Sequence, residues 1–579
     1  MPNRSLQTFD STNFFGPIIL CLYLCIGFVP NLEAVDKIAP QWLCMSIINL
    51  LSLVYFIYNR KSLGLGITSN LKALLSLTYI AFIIWALVSI LYAINPIEVI
   101  VNISRQVNVL LMFLSMSVFL FFLKEKLRFI PWLISLILGI EIYSVLNEAL
   151  GMLNTIGYIN SGELKGVTAN RNITAFSLAI KIPFVLFLIH LLSKTWLKLI
   201  LSFLICMAIL GLSMIQSRAS FIAVGLIFIA YTALQIVLFL RENKRFSQLL
   251  NLGYFLIPLL LAITINQATL SDKGADAISR AATISLSTND GSVNQRLRYY
   301  EDVLTHLLKN PIFGVGLGNW KLKSIDYDSK DIVGYVVPYH AHSDFIQLGA
   351  ELGIIGFLLY LGIFIWALYY VYILIRFSDL EVNEKVFLFL IITSLGVYSV
   401  DANLNFPIAR PQVLVVWTLI MGIITVYFQK YKGRLNLIKS NNTINRVFLI
   451  AAILIVIPSI YVSNKVYESL KGQMFLLQDF NSNQFNVPVN QIDNIVPNIP
   501  NITVTTIPIN SVKARYFVNA KQYDKALALI DKGTDANPYL FYSELLKSQI
   551  YQSIGKLDSA KIFARKAFFG LPNNPLHAS

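Results

Sequence analysis

Long apolar runs, separated by short polar or basic stretches, recur along the first 465 residues of the chain. A run of roughly 17–25 apolar residues is what a helix needs to cross a bilayer. Thirteen such runs are predicted, over roughly 14–30, 41–58, 73–93, 101–122, 129–150, 172–193, 199–215, 219–240, 250–266, 345–375, 386–402, 409–428 and 447–463. Thirteen passes put the two ends of the chain on opposite sides of the membrane. One long polar segment, 267–344, interrupts the pattern, and inside it NQRLRYYEDVLTHLLKNP (294–311) reads as a single helix. Its Leu297, Tyr300, Leu304 and Leu307 are spaced as one amphipathic stripe.

Composition agrees with the pattern. Hydrophobic residues are 56%, charged residues 13%, and the mean hydropathy is +0.65, against about 25% charged residues in soluble domains. The fold class is therefore all-α: a polytopic membrane protein of about 13 transmembrane helices. The formal charge of +15 does not call for nucleic acid, because basic loops on one face of a membrane account for it. Among the short loops, one alternating set carries nineteen Lys and Arg against four in the other. Basic loops stay cytoplasmic, so the N-terminus is expected inside, and segment 267–344, the turn at Gln216-Ser217-Arg218 and everything after 463 outside. The four cysteines, Cys21, Cys25, Cys44 and Cys206, all lie in apolar runs without metal-site spacing. The first run ends at Val29-Pro30 with no small-residue cleavage site, so it is read as a retained span.

Beyond the spans of residues 1–463 the register changes twice. Residues 464–512 are rich in Asn, Pro and Ile and read as an external linker. In 513–579, Ala526 recurs as Ala560 and Pro538 as Pro572, both 34 residues apart, the period of tetratricopeptide-like helix pairs. Gly555, Ala567 and Tyr551 fall at small and aromatic positions of that pattern.

The candidate chemistry is concentrated outside. His340 and His342 stand two apart before an apolar helix, in a chain with only five histidines. Near neutral pH a histidine accepts a proton from a hydroxyl and passes it on. A metal site would need Asp344 or Glu351 as a further ligand, in a spacing that matches no standard set. Arg218 and Arg296 share the compartment, and arginine holds phosphate bidentately. The run FGVGLGNW after Pro311 follows no strand and opens no GK[ST] helix, so its glycines are read as a tight backbone path rather than a nucleotide loop. Within the spans, Arg105, Glu141, Lys181, Asp401 and Arg410 are expected to face a cavity or one another. Arg105, Asp401 and Arg410 fall near outer span ends and are placed around one cavity, whereas Glu141 and Lys181 are read as either functional or a structural pair.

These residues resemble a known family. His342-Ser343, followed after nine intervening residues by Gly353-x-x-Gly356, with Glu351 just before, is similar to the signature of the bacterial O-antigen ligases. QSRASF (216–221), NQRLRYY with NPIFGVGLG, and GVTANRNITA (166–175) resemble the family's other external motifs, over about residues 10–430. Tyr300 stands where the family usually has Trp, and the thirteenth span and tail extend beyond its usual twelve.

The resemblance implies a GT-C-like helical transferase in a bacterial inner membrane. Such an enzyme moves a glycan from an undecaprenyl-pyrophosphate carrier to an acceptor hydroxyl on the periplasmic face, with inversion and without nucleotide sugar, cofactor or metal. It implies His342 as general base, Arg218 and Arg296 on the pyrophosphate, and His340, Tyr300 and Asn172 in support, with Arg298 as rival to Arg296. Glu351 and Arg105 complete the candidate set. The acceptor is left open among lipid A core, a protein hydroxyl and another glycan, and the tail among peptide and partner-protein binding. A transporter or flippase would require inverted repeats and paired broken helices, which the sequence does not display; a membrane scaffold would not require Arg218, Arg296 and His342 on one face.

Overall fold

The structure is a computed structural model that describes residues 12–241, 246–283, 291–434, 438–482 and 484–578. Among these residues it is built of helices, with one isolated bridge between Ile502 and Pro508 and no sheet. Twelve helices are long and apolar enough to cross a membrane, from Ile38–Tyr58 to Asn442–Asp479. They coincide with the last twelve of the thirteen predicted spans. The first differs: helix Thr12–Leu24 has 13 residues and gives way to a 3-10 turn at Ile26–Phe28. At 1.5 Å per residue it covers about 20 Å, short of the roughly 30 Å apolar core of a bilayer.

Two helices form the centre of the bundle. Pro411–Arg434 is apolar on all sides and buried along its span, and Pro96–Phe122 lies against it. At Gly422 the two approach so closely that an added Cβ would sit 3.1 Å from the Ser117 hydroxyl. Polar side chains in this interior are satisfied by one another. Asn49 donates to the Asn108 main chain at 3.0 Å, and Asn108 to the Ser459 hydroxyl at 2.8 Å, tying three helices together. Glu141 and Lys181 form a buried ion pair at 2.8 Å with Ser177 between them, the structural option of the two.

Two spans are interrupted, which the sequence reading did not foresee. Helix Arg171–Ala179 ends in a turn and restarts as Ile182–Leu191, with Lys181 at the break and Pro183 in the first turn after it. Helix Asp344–Phe377 is kinked at Gly353, whose φ of 67° and ψ of −171° are open only to glycine.

Segment 267–344 contains helices Ala277–Ala282, Gly291–Lys309 and Trp320–Tyr327. The second of these buries a different stripe from the predicted one. Tyr299, Val303 and His306 face inward, while Leu297 and Leu304 are exposed. Packing against the loop and against helix Asp344–Phe377 overrides the apolar count, because Tyr299 stacks on the His342 ring and His306 meets the Tyr327 hydroxyl there.

The region after residue 463 also differs. The last span does not stop there but continues as one helix through Asn481, stapled to the Asn31–Asp36 loop through Tyr467 and the Leu32 carbonyl at 3.0 Å. The extended portion is confined to the stretch before Ile509. Four helices follow, Ile509–Asn519, Tyr523–Ala536, Tyr542–Ser553 and Leu557–Gly570, packed as two hairpins. They rest on the loop that follows Trp320. Asn95 bridges to Asn501 at 2.8 Å and to the Ala536 carbonyl at 3.0 Å, and Asn573 donates to the Lys330 carbonyl at 2.6 Å.

Candidate functional site

The His340-Ala341-His342 segment is the turn that feeds helix Asp344–Phe377, with Ser343 as its N-cap accepting from the Ile346 amide at 3.4 Å. His342 has φ 57°, a left-handed conformation rare for a side-chain-bearing residue. The two histidine rings meet one shared neighbour, Phe406, at different angles. The His342 ring lies parallel to Tyr299 at 6.2 Å and edge-on to Phe406 at 5.6 Å. The His340 ring stacks on the other side of Phe406, 4.1 Å between centroids.

Two cavities share this wall. The larger, about 780 Å³, is lined by Asn172, Tyr299, Arg298 and His342 together with the loop 332–338. The smaller, about 390 Å³, sits among the ends of the spans and is lined by Arg105, Gln347, Glu351, Lys321 and Arg410. Tyr339, His340 and Phe406 border both.

Burial, reinforced by the Arg296 guanidinium, pulls His342 down to about 4, so its imidazole is neutral at pH 7. Among the described residues its Nδ1 is buried without a partner. Tyr300 supports the turn from behind: its hydroxyl lies 3.1 Å from the His342 carbonyl and 2.9 Å from that of Asn403. His340 is driven well below its ordinary value by burial, with Arg410 and His342 adding to the effect. Its Nδ1 is 3.4 Å from Gln347 Oε1, which also accepts from the Ala341 amide at 3.2 Å. Gln347 in turn donates to Glu351 Oε1 at 3.0 Å, and Gly318 N–H to Glu351 Oε2 at 2.8 Å. A chain of bonds thus runs from the glycine-rich segment to the histidine turn.

That segment does take a tight path. The amides of Val315 and Gly316 donate to the Ala350 and Glu351 carbonyls at 3.0 and 2.9 Å. A Cβ at Gly314 would collide with those carbonyls, and one at Gly353 with the carbonyl of Ile312.

The arginines are held differently. Arg298 is pinned by Asp331 at 2.8 Å and Asp328 at 3.2 Å, so its charge is matched on the cavity rim. Arg296 lies close enough for its charge to act on His342 and Tyr300. Arg218 lines neither cavity; its Nη1 donates to the Thr283 carbonyl at 3.3 Å, beside residues outside the described set. Asp401 also stays off both cavities, accepting from Asn405 at 2.8 Å, so the cavity expected of Arg105, Asp401 and Arg410 gathers only the two arginines. Among the described residues, no three His, Cys, Asp or Glu side chains converge as metal ligands would.

Sequence reasoning passed over Tyr299, Phe406, Gln347, Tyr339 and Lys321. Gln347 was within reach, since it lies four residues before Glu351 on one helix face. Phe406 and Lys321 come from elements distant in the chain, and no local spacing ties them to the histidines.

No curated protein matches the chain. Residues 201–361 match the family model described as O-Antigen ligase. That stretch runs from the helix before Arg218, through both loop arginines and the histidine turn, to beyond Gly356. Residues 201–361 are thus similar to the O-antigen ligase domain, which supports a ligase- or polymerase-type membrane glycosyltransferase.

Proposed function

We propose that the chain transfers a glycan from an undecaprenyl-pyrophosphate carrier to an acceptor hydroxyl, as an O-antigen ligase-type enzyme of the bacterial inner membrane. The reading rests chiefly on one observation: a neutral, half-buried His342 on the wall of a large cavity, under the field of Arg296. A neutral imidazole is the form that takes a proton. In this reading His342 accepts the acceptor hydroxyl's proton while the new C–O bond forms at the anomeric carbon. The bond to the pyrophosphate oxygen breaks on the opposite face, inverting that centre, and the lipid pyrophosphate departs with its charge held by Arg218 and Arg296. Asn172 and Arg298 shape the donor cavity, and Tyr300 and His340 hold His342 in place. No metal, cofactor or nucleotide sugar enters. The loop face and the tail are periplasmic, with membrane lipid around the spans.

The acceptor is lipid A core or another surface glycoconjugate. A protein hydroxyl, as in a protein O-oligosaccharyltransferase, or a growing polysaccharide is the alternative. The helix hairpins of residues 509–578 favour the protein alternative, because tetratricopeptide-like pairs present peptide- or partner-binding surfaces and these lean on the catalytic loop. A transporter is the remote reading. Deleting the gene and restoring it as wild type or as His342→Ala tests the proposal. One glycoconjugate should vanish on deletion and return only with wild type; return with His342→Ala would overturn the base assignment.

A further inference from the structure

The smaller cavity has an unusual set of polar groups. Arg105 and Arg410 both line it, and among the described residues neither forms an ion pair. Arg105 reaches only Asn102 Oδ1 at 3.4 Å and the Trp42 ring at 6.0 Å. Arg410 lies over Phe406 at 5.2 Å, and its Nε is buried without a partner among the described residues. The carboxylates on the same wall are hydrogen-bonded to other groups: Asp36 accepts from the Ile38 and Ala39 amides, and Glu351 from Gly318 and Gln347. The Asp36 charge still acts on Arg410. Lys321 is committed to Glu98 at 2.6 Å and the Tyr339 hydroxyl at 2.9 Å. Asp344, 1% exposed, spends Oδ2 on the Ile408 amide at 3.0 Å and leaves Oδ1 without a partner among the described residues. Two guanidiniums thus face about 390 Å³ bordered by apolar Leu317 and Leu348, with the Asp344 carboxyl buried in the wall.

Guanidiniums without an ion pair call for an anion, preferably one with paired oxygens. The apolar rim calls for C–H surface. One ligand class satisfies both. We propose that this cavity is a subsite for an acidic sugar of the acceptor, its carboxylate or phosphate received by Arg105 and Arg410. The assignment to the acceptor rests on the proposed function, in which the donor occupies the larger cavity across the Tyr339–His340–Phe406 wall.

Binding to the full chain in lipid nanodiscs tests it, with glucuronic acid, glucose 6-phosphate and glucose as probes. The two acidic sugars should bind saturably and glucose roughly tenfold or more weakly, as loss of a charge-assisted pair implies. Arg105→Gln with Arg410→Gln should abolish that preference, and Arg410→Lys, which keeps charge and volume, should weaken it while leaving the protein folded. Equal binding of glucose, or an acid preference surviving the double variant, would overturn the site. Displacement of glucuronate by farnesyl pyrophosphate would overturn the acceptor assignment, because the cavity would then be holding the donor's phosphates. His342→Ala should lose transfer and keep glucuronate binding; transfer that persists defeats the functional reading alone, since the sugar titration stands independently of it.

Discussion

The Tyr300 hydroxyl reaches the main-chain carbonyl of His342 at 3.1 Å, from a helix 42 positions earlier in the chain. It thereby braces a residue whose φ of 57° the backbone would otherwise leave. Tyr300→Phe removes that brace and the companion contact to Asn403 at 2.9 Å. An orphaned partly buried carbonyl costs about 1–3 kcal/mol, and misplacement of a catalytic base lowers rate more than it lowers affinity. Turnover should fall about tenfold, with protein abundance and KM for the donor little changed, as measured in a membrane transfer assay.

The depressed His342 value makes a pH prediction of definite sign. A base must be unprotonated to act, and His342 becomes protonated only as the pH falls towards about 4. An ordinary histidine would be half protonated near 6.5. Transfer should therefore hold nearly level from pH 7 to about 5 and drop below that. Arg296→Gln removes a charge that lowers the value, so the acid limb should move towards neutral pH. A limb that stays in place would show that burial alone sets it.

The G-x-x-G that follows the histidines is a hinge of fixed geometry. Gly353 combines a φ of 67° with a ψ of −171°, and its missing Cβ makes room for the Ile312 carbonyl. Gly353→Ala meets both the backbone strain, about 1–3 kcal/mol, and a main-chain collision. Gly349, where the nearest atom to an added Cβ is 3.9 Å away, provides the control. Gly353→Ala should lower the thermal midpoint and membrane abundance, while Gly349→Ala should leave both close to wild type in a detergent melting assay.

Much of this was legible because membrane helices announce themselves by length and apolar content, as in Pro411–Arg434. The histidine turn and loop helix were legible because polar residues stand out at the end of an apolar run. The short first helix was not, since apolar content does not report that Leu24 is followed by a 3-10 turn. Nor was the inward face of the loop helix, where Tyr299 and His306 displace Leu297 and Leu304. Burial there is decided by partners such as His342 and Tyr327, and by a loop wall from far along the chain. The smaller cavity was half legible. Arg105 and Arg410 are conspicuous in apolar runs, but Asp401, equally conspicuous, turns to Asn405 instead.

The tail is joined to the cavity loop by a titratable contact. His577 Nδ1 lies 2.7 Å from the Ala567 carbonyl, so that nitrogen carries the hydrogen, and Nε2 is left to accept from the Tyr335 hydroxyl at 2.9 Å. Tyr335 also packs edge-on against Tyr542 of the tail at 5.4 Å, and its neighbours 332, 333 and 336–338 line the larger cavity. Burial lowers the His577 value, and the Ala567 carbonyl only partly offsets it. The unfolded or undocked tail therefore binds a proton near pH 6.5 that the docked tail refuses, so docking weakens as pH falls below that value. His577→Ala removes the contact at every pH and leaves the Tyr335 hydroxyl unpaired, at a cost of about 1–3 kcal/mol. Limited proteolysis should cut the tail faster at pH 5.5 than at pH 7.5 in the wild type. The variant should be cut fast at both, and a wild-type cleavage rate independent of pH would remove His577 from the docking contact.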